Sequence, residues 1–281
     1  MLATDLRLRR LVRQAGLGRL ISVSEIDGGL SSTVLKLTTT VGHFAYRAPS
    51  SLQATGGNAA TDLAIARVAG RLGLGPEIVF STQGGNETIG KWLDGEQTTS
   101  RDFQKMPDLI SQAIKVLDRL HAASVHVDRF SVTALIDKYA DNSDLRSAGI
   151  RAIDVARLRR RSKRLEQTIA VAAVCHNDPM PKNWLRSCRR LWLLDYEFGG
   201  IFDPAWDLAT LANESGCCDA VLAGLHSQHP RRDNSQRVRA WMPIVDGLWA
   251  LYAVKMSTQP QLRREVLLRV ARKRWCRYSA S

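Results

Sequence analysis

Long apolar runs are missing from this sequence of 281 residues. A helix that crosses a bilayer needs about 18 or more consecutive apolar residues, and no run approaches that length. The N-terminal stretch MLATDLRLRRLVRQ mixes charged with apolar residues and has no signal-peptide core. The sequence therefore predicts a soluble, unprocessed protein of the cytoplasm.

Cysteine is also scarce, and its spacing is irregular. The five cysteines at positions 175, 188, 217, 218 and 276 include no CxxC pair and no Cys/His ligand spacing. An odd number with this spacing indicates neither a disulfide framework nor a zinc site, and it fits a reducing compartment. No repeat or low-complexity segment occurs, and 44% hydrophobic content is enough for one large domain or two lobes.

Acidic residues are outnumbered, 27 against 40 basic ones, which gives a net charge of +13. Residues 151–164 and 261–281 each hold seven basic residues and one acid, so most of the excess lies there. Apolar residues at helical spacing predict that 151–164 forms a helix with a basic, solvated face. Because the stretch 151–164 contains no aromatic residue, no nucleic-acid partner is expected, although this charge would favour an anionic small substrate or a membrane surface.

The first hundred residues have the pattern of a small sheet-rich unit. Alternating runs separated by glycines predict strands at 20–26, 33–39 and 43–48. A helix is expected over about 58–72, and a hairpin and a connector follow in EIVFSTQGGNETIGKWLDG. The predicted order is three strands, one helix and two strands.

Helical spacing dominates after a boundary placed near Asp94 and Gly95. The predicted helices occupy MPDLISQAIKVLDRLHAASV and residues 132–140, 151–168, 204–213, 236–257 and 261–276. Apolar strand-like runs at 171–174 and 191–194 interrupt this pattern and flank the loop CHNDPMPKNWL. Polar residues are therefore held between two buried strands.

This loop has the spacing His-x-Asp-x4-Asn and is followed by an apolar run that ends in Asp195. The same skeleton forms the catalytic apparatus of protein kinases. Phosphoryl transfer needs a carboxylate beside the attacking hydroxyl and hard oxygen ligands for Mg²⁺. Asp178 is thus the candidate catalytic residue, and Asn183 and Asp195 are candidate metal ligands.

The segments HNDPMPKNWL, LLDYEFGGIFDPAWDLATL and LDRLHA resemble motifs of the aminoglycoside phosphotransferase and choline kinase superfamily, in order and with suitable spacing. The Asn-Asp-Pro after the histidine and the Asp-Tyr-Glu-Phe segment are similar to the choline, ethanolamine and thiamine kinase branch. The resemblance implies an α+β, protein-kinase-like fold with two lobes. Residues 1–94 would be a nucleotide-binding lobe with a small antiparallel sheet and one helix, and residues 95–281 a mainly helical lobe for catalysis and substrate.

The resemblance extends to the nucleotide site. GGLSSTVLKL is similar to the glycine-containing hairpin that lies over the phosphates, which implies roles for Gly28, Gly29, Ser31 and Ser32, although any tight turn uses such glycines. Arg47 stands where protein kinases have lysine, and its guanidinium can bind phosphate oxygens through two N–H groups. Its expected acidic partner is Asp62, with two alternatives: Glu77 as the partner, or simple surface exposure of Asp62.

Supporting roles are predicted for several neighbours of the loop. His176 is interpreted as a structural anchor, and Asp178 alone could be a turn former before proline. On an extended segment Asp195 and Glu197 project to one side, so Glu197 could join the metal cluster. The remaining expectations are an N-cap with proline at Asp203–Pro204, a loop-bracing role for Asp207, and either phosphate contact or solvent exposure for Lys182.

The substrate must be inferred from the helical part. Trp249 and Tyr252 lie three apart and resemble the Trp-x-x-Trp of choline kinases, where aromatic faces hold a quaternary ammonium. An apolar stripe packed in the core would explain the same pair. Aminoglycoside substrates would need several carboxylates, and residues 204–281 offer only Asp207, Glu214, Asp219, Asp233, Asp246 and Glu265.

These features predict a kinase that uses ATP and Mg²⁺ to phosphorylate the hydroxyl of a small cationic alcohol, choline first. Thiamine or ethanolamine are alternative acceptors, and an aminoglycoside ranks after them. A catalytically idle, kinase-shaped binding protein is the alternative from another class. The sequence leaves the oligomeric state open.

Overall fold

A computed structural model describes residues 2–26, 32–49, 58–141, 143–188, 190–228 and 235–281. Its first part is a five-stranded antiparallel sheet with two helices. The elements are α1 (Leu2–Gln14), β1 (Leu20–Ile26), β2 (Ser32–Thr39), β3 (Gly42–Pro49), α2 (Ala59–Arg71), β4 (Ile78–Ser81) and β5 (Thr88–Lys91). The spatial order is β1-β2-β3-β5-β4, so β5 lies between β3 and β4. The predicted strands, helix and hairpin are confirmed.

The two faces of this sheet have different uses, because successive side chains of a strand point to opposite sides. Leu35, Leu37, Phe44, Tyr46 and Ile89 are buried in a core with residues of α1. The intervening residues face the opposite side and line a cleft: Val34, Lys36, Ala45, Arg47, Thr88 and Gly90. Strand alternation thus separates the core from the site.

Helix α1 was not among the predicted elements. Its buried residues Leu8, Leu11 and Val12 have helical spacing, and they pack on the sheet. The many arginines between them obscure the apolar stripe in the sequence. The spacing of these three residues is the signal that identifies α1 as an amphipathic helix.

The second part of the chain is mainly helical. Its elements are β6 (Glu96–Gln97), α3 (Ser100–Lys105), α4 (Pro107–His121), α5 (Val132–Ala140), α6 (Ala152–Gln167), β7 (Ala173–Cys175), β8 (Trp184–Arg186), β9 (Leu191–Leu193), β10 (Gly200–Phe202), α7 (Pro204–Ser215), α8 (Cys218–Gln228), α9 (Ser235–Met256) and α10 (Arg264–Ser279). The helices predicted at 132–140, 151–168, 204–213, 236–257 and 261–276 are confirmed within three residues at each end. The short helices α3 and α8 were not predicted.

Helix α9 is the centre of the helical core. Most of its residues are buried all round its axis, and it packs against α5, α6, α7 and α10. Three fully buried tryptophans, Trp184, Trp206 and Trp241, belong to this part. Such a core gives β7, β8 and the loop between them a rigid base.

The division predicted near residues 94 and 95 falls between β5 and β6, and it stays a prediction. Strand β6 already pairs with β8 of the helical part. Gly95 lies beside this junction, where an added Cβ would come within 2.7 Å of the carbonyl oxygen of Arg186. The connector therefore needs glycine to approach β8 this closely. Among the described residues, no helix is long and apolar enough to cross a membrane.

Candidate active site

The loop of residues 176–183 leaves β7 through an unusual backbone conformation. Asn177 has φ of 65°, in the left-handed region that asparagine tolerates better than most residues. Its amide Nδ2 donates to the carbonyl oxygen of Phe198 at 2.9 Å, which holds the turn in place. The next residue, Asp178, is consequently directed by a fixed turn.

His176 is fully buried and anchors the same turn. The backbone N–H of Asp178 donates to its Nδ1 at 3.2 Å, so Nε2 carries the proton and donates to the carbonyl oxygen of Leu194 at 2.9 Å. Burial lowers the pKa of His176 and keeps the ring neutral. The ring thus joins the loop to the segment that carries Asp195.

Asp207 holds the start of the loop of residues 176–183 through hydrogen bonds to its backbone. Its carboxylate accepts the N–H groups of His176 at 3.0 Å and of Asn177 at 2.6 Å, and His121 Nε2 lies 2.8 Å from it. Helix α7 places Asp207 there because Asp203 caps the helix by accepting from Ala205 N–H and proline follows directly. The helix start predicted at Asp203–Pro204 is confirmed.

Asp178 and Asn183 lie against each other in the loop. Asn183 Nδ2 donates to the carbonyl oxygen of Asp178 at 2.8 Å and lies 3.4 Å from its carboxylate. Burial raises the pKa of Asp178, and the charges of Glu214, Asp195 and Glu197 act in the same direction, while Lys182 opposes them. A carboxyl group with this environment is suited to accept a proton.

Asp195 departs from the expected extended segment. Its φ is 66°, so the alternation used to place Asp195 and Glu197 on one side does not apply, and that part of the prediction is wrong. Burial is the largest cause of the raised pKa of Asp178, and the charges of Asp195 and Glu197 are close enough to raise it further. The left-handed turn, rather than strand alternation, brings them to the site.

Arg47 connects the sheet to this turn. It forms an ion pair with Asp62 and a second with Asp195, whose Oδ1 lies 2.6 Å from Nη2. Burial disfavours the guanidinium charge, but the two carboxylates outweigh it and raise the pKa of Arg47. Glu77, the alternative partner, pairs instead with Lys91 at 2.6 Å. The contact between Arg47 and Asp195 had no sequence signal, since 147 residues separate the two.

The cleft between the sheet and the helical part has a volume of about 710 Å³. Its walls include Asp62, Lys182, Asn183 and Asp195 beside the sheet residues given above. Of the residues expected to cover the phosphates, Gly28, Gly29 and Ser31 lie outside the described residues, and Ser32 begins β2. The described residues that line the cleft provide apolar surface together with positive and negative charges.

The oxygen groups of Asn183 and Asp195 fit a hard cation. Because Nδ2 of Asn183 is engaged by Asp178, its Oδ1 is the free end of the amide, and both residues line the cleft. Amide and carboxylate oxygens are ligands that Mg²⁺ prefers. A second cluster, His121, Cys175 and Asp207, is compact enough for a metal. There, however, the carboxylate oxygens of Asp207 already accept two backbone N–H groups, which indicates a structural role.

Aromatic rings form a chain that begins next to Glu197. Phe198 meets Trp249 edge to face at 5.3 Å, Trp249 meets Tyr252 at 5.4 Å, and Tyr252 meets Tyr139 at 5.4 Å. Burial raises the pKa of Tyr139, with further contributions from Tyr252, Glu197 and Asp178, so this ring is near the acidic groups. Phe198 and Tyr139 were not among the predicted site residues. Phe198 lies in the Asp-Tyr-Glu-Phe segment, which was the available signal, whereas Tyr139 had none.

Trp249 is 8% exposed and belongs to the helical core, while Tyr252 is partly buried against it. The Nε1 atom of Trp249 and the hydroxyl of Tyr139 are buried and have no hydrogen-bond partner within the described parts of the chain. The burial of Trp249 agrees with the core-packing alternative for the predicted pair, whereas substrate contact stays a prediction.

Comparison with known proteins gives a consistent result. The model of the phosphotransferase enzyme family matches residues 22–241. Protein LicA of Haemophilus influenzae is 25% identical over 201 residues, 67% of this chain and 57% of that protein, so the chain spans little more than half of this curated relative.

Solved structures with the same fold cover nearly the whole chain. The structure of a choline/ethanolamine kinase family protein from Mesorhizobium loti has a TM-score of 0.79 and 23% identity, and covers 100% of this chain and 94% of its own. A structure of LicA in complex with AMP has a TM-score of 0.74 and 18% identity, with 97% of both chains covered. The two-lobed, kinase-like α+β fold is thus confirmed.

Proposed function

The chain belongs to the phosphotransferase enzyme family, and from the geometry of its site we propose that it transfers the γ-phosphoryl group of ATP to the hydroxyl of a small cationic alcohol, with choline as the first candidate. The cleft lined by Arg47, Asn183 and Asp195 would hold the nucleotide. The AMP complex of LicA, which has the same fold, supports nucleotide binding by a protein of this fold.

Each residue has a defined task in this reaction. The carboxylate of Asp178 orients the acceptor hydroxyl and receives its proton as the oxygen attacks the γ-phosphorus. The bond from this phosphorus to the β–γ bridging oxygen breaks, and ADP leaves. Arg47 binds phosphate oxygens, and Asn183 and Asp195 would hold Mg²⁺, with Glu197 in support; the ion would neutralise charge on the phosphates.

One observation carries the choice of substrate: a chain of aromatic rings starts at Phe198, the residue after Glu197, and runs through Trp249 and Tyr252. A quaternary ammonium has no N–H group to donate, so aromatic faces beside a carboxylate are a suitable way to bind it. The choline/ethanolamine kinase family protein of Mesorhizobium loti, which shares the fold, is consistent with such an acceptor.

The acids near the site favour one small cation over an aminoglycoside with several ammonium groups. Glu214 is paired bidentately with Arg274 at 2.6 and 2.7 Å, and Asp246 is paired with Arg274 and Arg277. Asp207 is committed to the loop. Three of the six acids in residues 204–281 are therefore engaged within the protein.

An assay of ATP consumption tests the proposal. The purified chain with Mg²⁺ and ATP is incubated with choline, thiamine, ethanolamine or kanamycin, or with no acceptor, and the phosphorylated product is identified by mass spectrometry. We expect ATP turnover that depends on the acceptor and is fastest with choline. Turnover with kanamycin and with no other acceptor would contradict a small cationic alcohol and indicate an aminoglycoside as the acceptor. Nucleotide binding without turnover of any acceptor would favour the catalytically idle binding protein.

A further inference from the structure

A second concave site lies on the helical part, away from the cleft. Four arginines of α6 and two apolar residues line a depression of about 540 Å³. We call it the arginine groove, and its residues are Arg157, Arg160, Arg161, Arg164, Leu165 and Ala240. None of these residues lines the cleft.

Helix geometry explains why the arginines converge. Positions 157, 160, 161 and 164 follow the three- and four-residue spacing that places side chains on one side of a helix. Leu158, on an adjacent side of α6, packs so close to α9 that a Cβ on Gly247 would come within 2.8 Å of it. Burial of Leu158 therefore turns the arginines outward.

The walls of the groove are fastened together at its end. Arg237 on α9 donates to the carbonyl oxygen of Leu165 at 3.0 Å and to Thr168 Oγ1 at 3.1 Å. The same guanidinium is paired with Asp203 at 2.5 Å. The end of α6 is thus held against α9, and the groove is a preformed feature.

Three of the four arginines of the groove have no acidic partner within the described parts of the chain. Asp154 lies 3.5 Å from Arg157 but also pairs with Arg151 at 2.6 Å, and no acid is placed within ion-pair distance of Arg160, Arg161 or Arg164. Burial raises the pKa of the neighbouring Tyr278, while Arg161, Arg157 and Arg160 act to lower it, which places these charges around one hydroxyl. Like charges that converge in a recess repel one another until an anion enters.

The composition of the groove points to phosphate. A guanidinium binds phosphate oxygens through two parallel N–H groups, and every cation lining the groove is an arginine. The groove has no aromatic side chain on which a base could stack, which disfavours single-stranded nucleic acid. Several guanidiniums around one recess suit a ligand with more than one phosphate.

We propose that the arginine groove binds a compact polyphosphorylated anion, either free in solution or as the head group of a lipid. Binding there is separate from phosphoryl transfer, since the groove shares no residue with the cleft. Its occupant would neutralise charge that the protein leaves unpaired.

Titration calorimetry with inorganic tripolyphosphate at low ionic strength tests this proposal. Three full-length proteins are compared: the wild type, a groove variant with Arg160→Gln, Arg161→Gln and Arg164→Gln, and a control variant with Arg101→Gln, Lys105→Gln and Lys115→Gln. Both variants lose three positive charges, and all six positions are exposed or partly exposed. Any tripolyphosphate bound in the cleft is common to all three proteins, so the difference isolates the groove.

We expect affinity for tripolyphosphate to fall about 10-fold or more in the groove variant and about 3-fold or less in the control, because only the first loses bidentate contacts. Tripolyphosphate should also raise the thermal midpoint of the wild type more than that of the groove variant. Unliganded melting curves and phosphotransfer rates should remain close to wild type, which shows that the variant is folded.

Two further binding measurements distinguish a lipid head group from a free ligand. Groove-dependent binding to phosphatidylcholine vesicles that contain a phosphatidylinositol bisphosphate, together with tripolyphosphate binding, indicates a lipid head group, whereas tripolyphosphate binding alone indicates a free ligand. Equal losses in the groove and control variants would overturn the proposal in favour of a solvated basic surface. Groove-dependent binding of a thymidine oligonucleotide without tripolyphosphate binding would overturn it in favour of nucleic acid.

Discussion

Replacing Asp207 by asparagine tests whether one buried carboxylate holds the loop that carries Asp178. Asp207 is fully buried: its Oδ2 accepts from the backbone N–H of His176 and lies beside His121 Nε2, and its Oδ1 accepts from the backbone N–H of Asn177. An asparagine has nearly the same shape but only one acceptor oxygen. In its better orientation the amide keeps the contacts with His176 and His121 and turns its NH₂ group toward Asn177 N–H.

The expected loss follows from these contacts. A buried donor left without an acceptor costs about 1–3 kcal/mol, and each of the two retained bonds weakens by about 1 kcal/mol when the acceptor loses its charge. The free energy of unfolding should therefore fall by roughly 3–5 kcal/mol, or roughly 5–9 °C in the thermal midpoint for a chain of this size. Because Asn177 precedes Asp178, we also expect kcat to fall at least 10-fold with the KM for ATP little changed.

Thermal and urea unfolding followed by circular dichroism measure the stability, and the acceptor-dependent ATPase assay gives kcat and KM. Asp219→Asn, an exposed position on α8, is the matched control and should match the wild type in both. An Asp207→Asn protein with a midpoint within about 2 °C of wild type and unchanged kcat would refute the assigned role, since a buried acceptor cannot be lost without effect.

Four further substitutions test the roles proposed for residues of the site. Asp178→Asn should lower kcat about 100-fold or more while ATP affinity stays near wild type, and near-normal kcat would remove Asp178 from the chemistry. Asn183→Ala and Asp195→Ala should change the Mg²⁺ dependence of the rate at fixed ATP, because each removes a proposed oxygen ligand; a wild-type metal titration in both would place the ion elsewhere. Trp249→Leu should raise the KM for choline about 5- to 30-fold, the loss expected for a largely desolvated cation–π contact, and it should also lower the thermal midpoint because Trp249 packs in the core. Trp275→Leu, a similarly buried tryptophan on α10, is the control, and equal KM values in these two variants would leave Trp249 with a packing role alone.

The loop and its neighbours could be predicted because their chemistry is local in sequence. His176, Asp178 and Asn183 lie within eight residues, and the helix start at Asp203 depends on a side chain and a proline next to each other. The order of strands and helices was likewise available, because burial on one face imposes a period of about 2 or 3.6 on the apolar residues. The amphipathic helix α1 also has such a period, in Leu8, Leu11 and Val12, although its arginines hide it.

Contacts between distant residues were decided only by the tertiary structure. The conformation of Asp195 is left-handed, and no pattern in its neighbours distinguishes it from an extended segment. Its ion pair with Arg47 and the approach of Tyr139 to Tyr252 each join elements far apart in the chain. The arginine groove depends on both: the spacing of arginines on α6 is visible in the sequence, whereas the recess forms because the contacts of Leu158 and Arg237 hold α6 against α9. The periodicity of apolar residues determines which face of a helix or strand is buried, whereas the packing of the whole chain determines which other element covers that face.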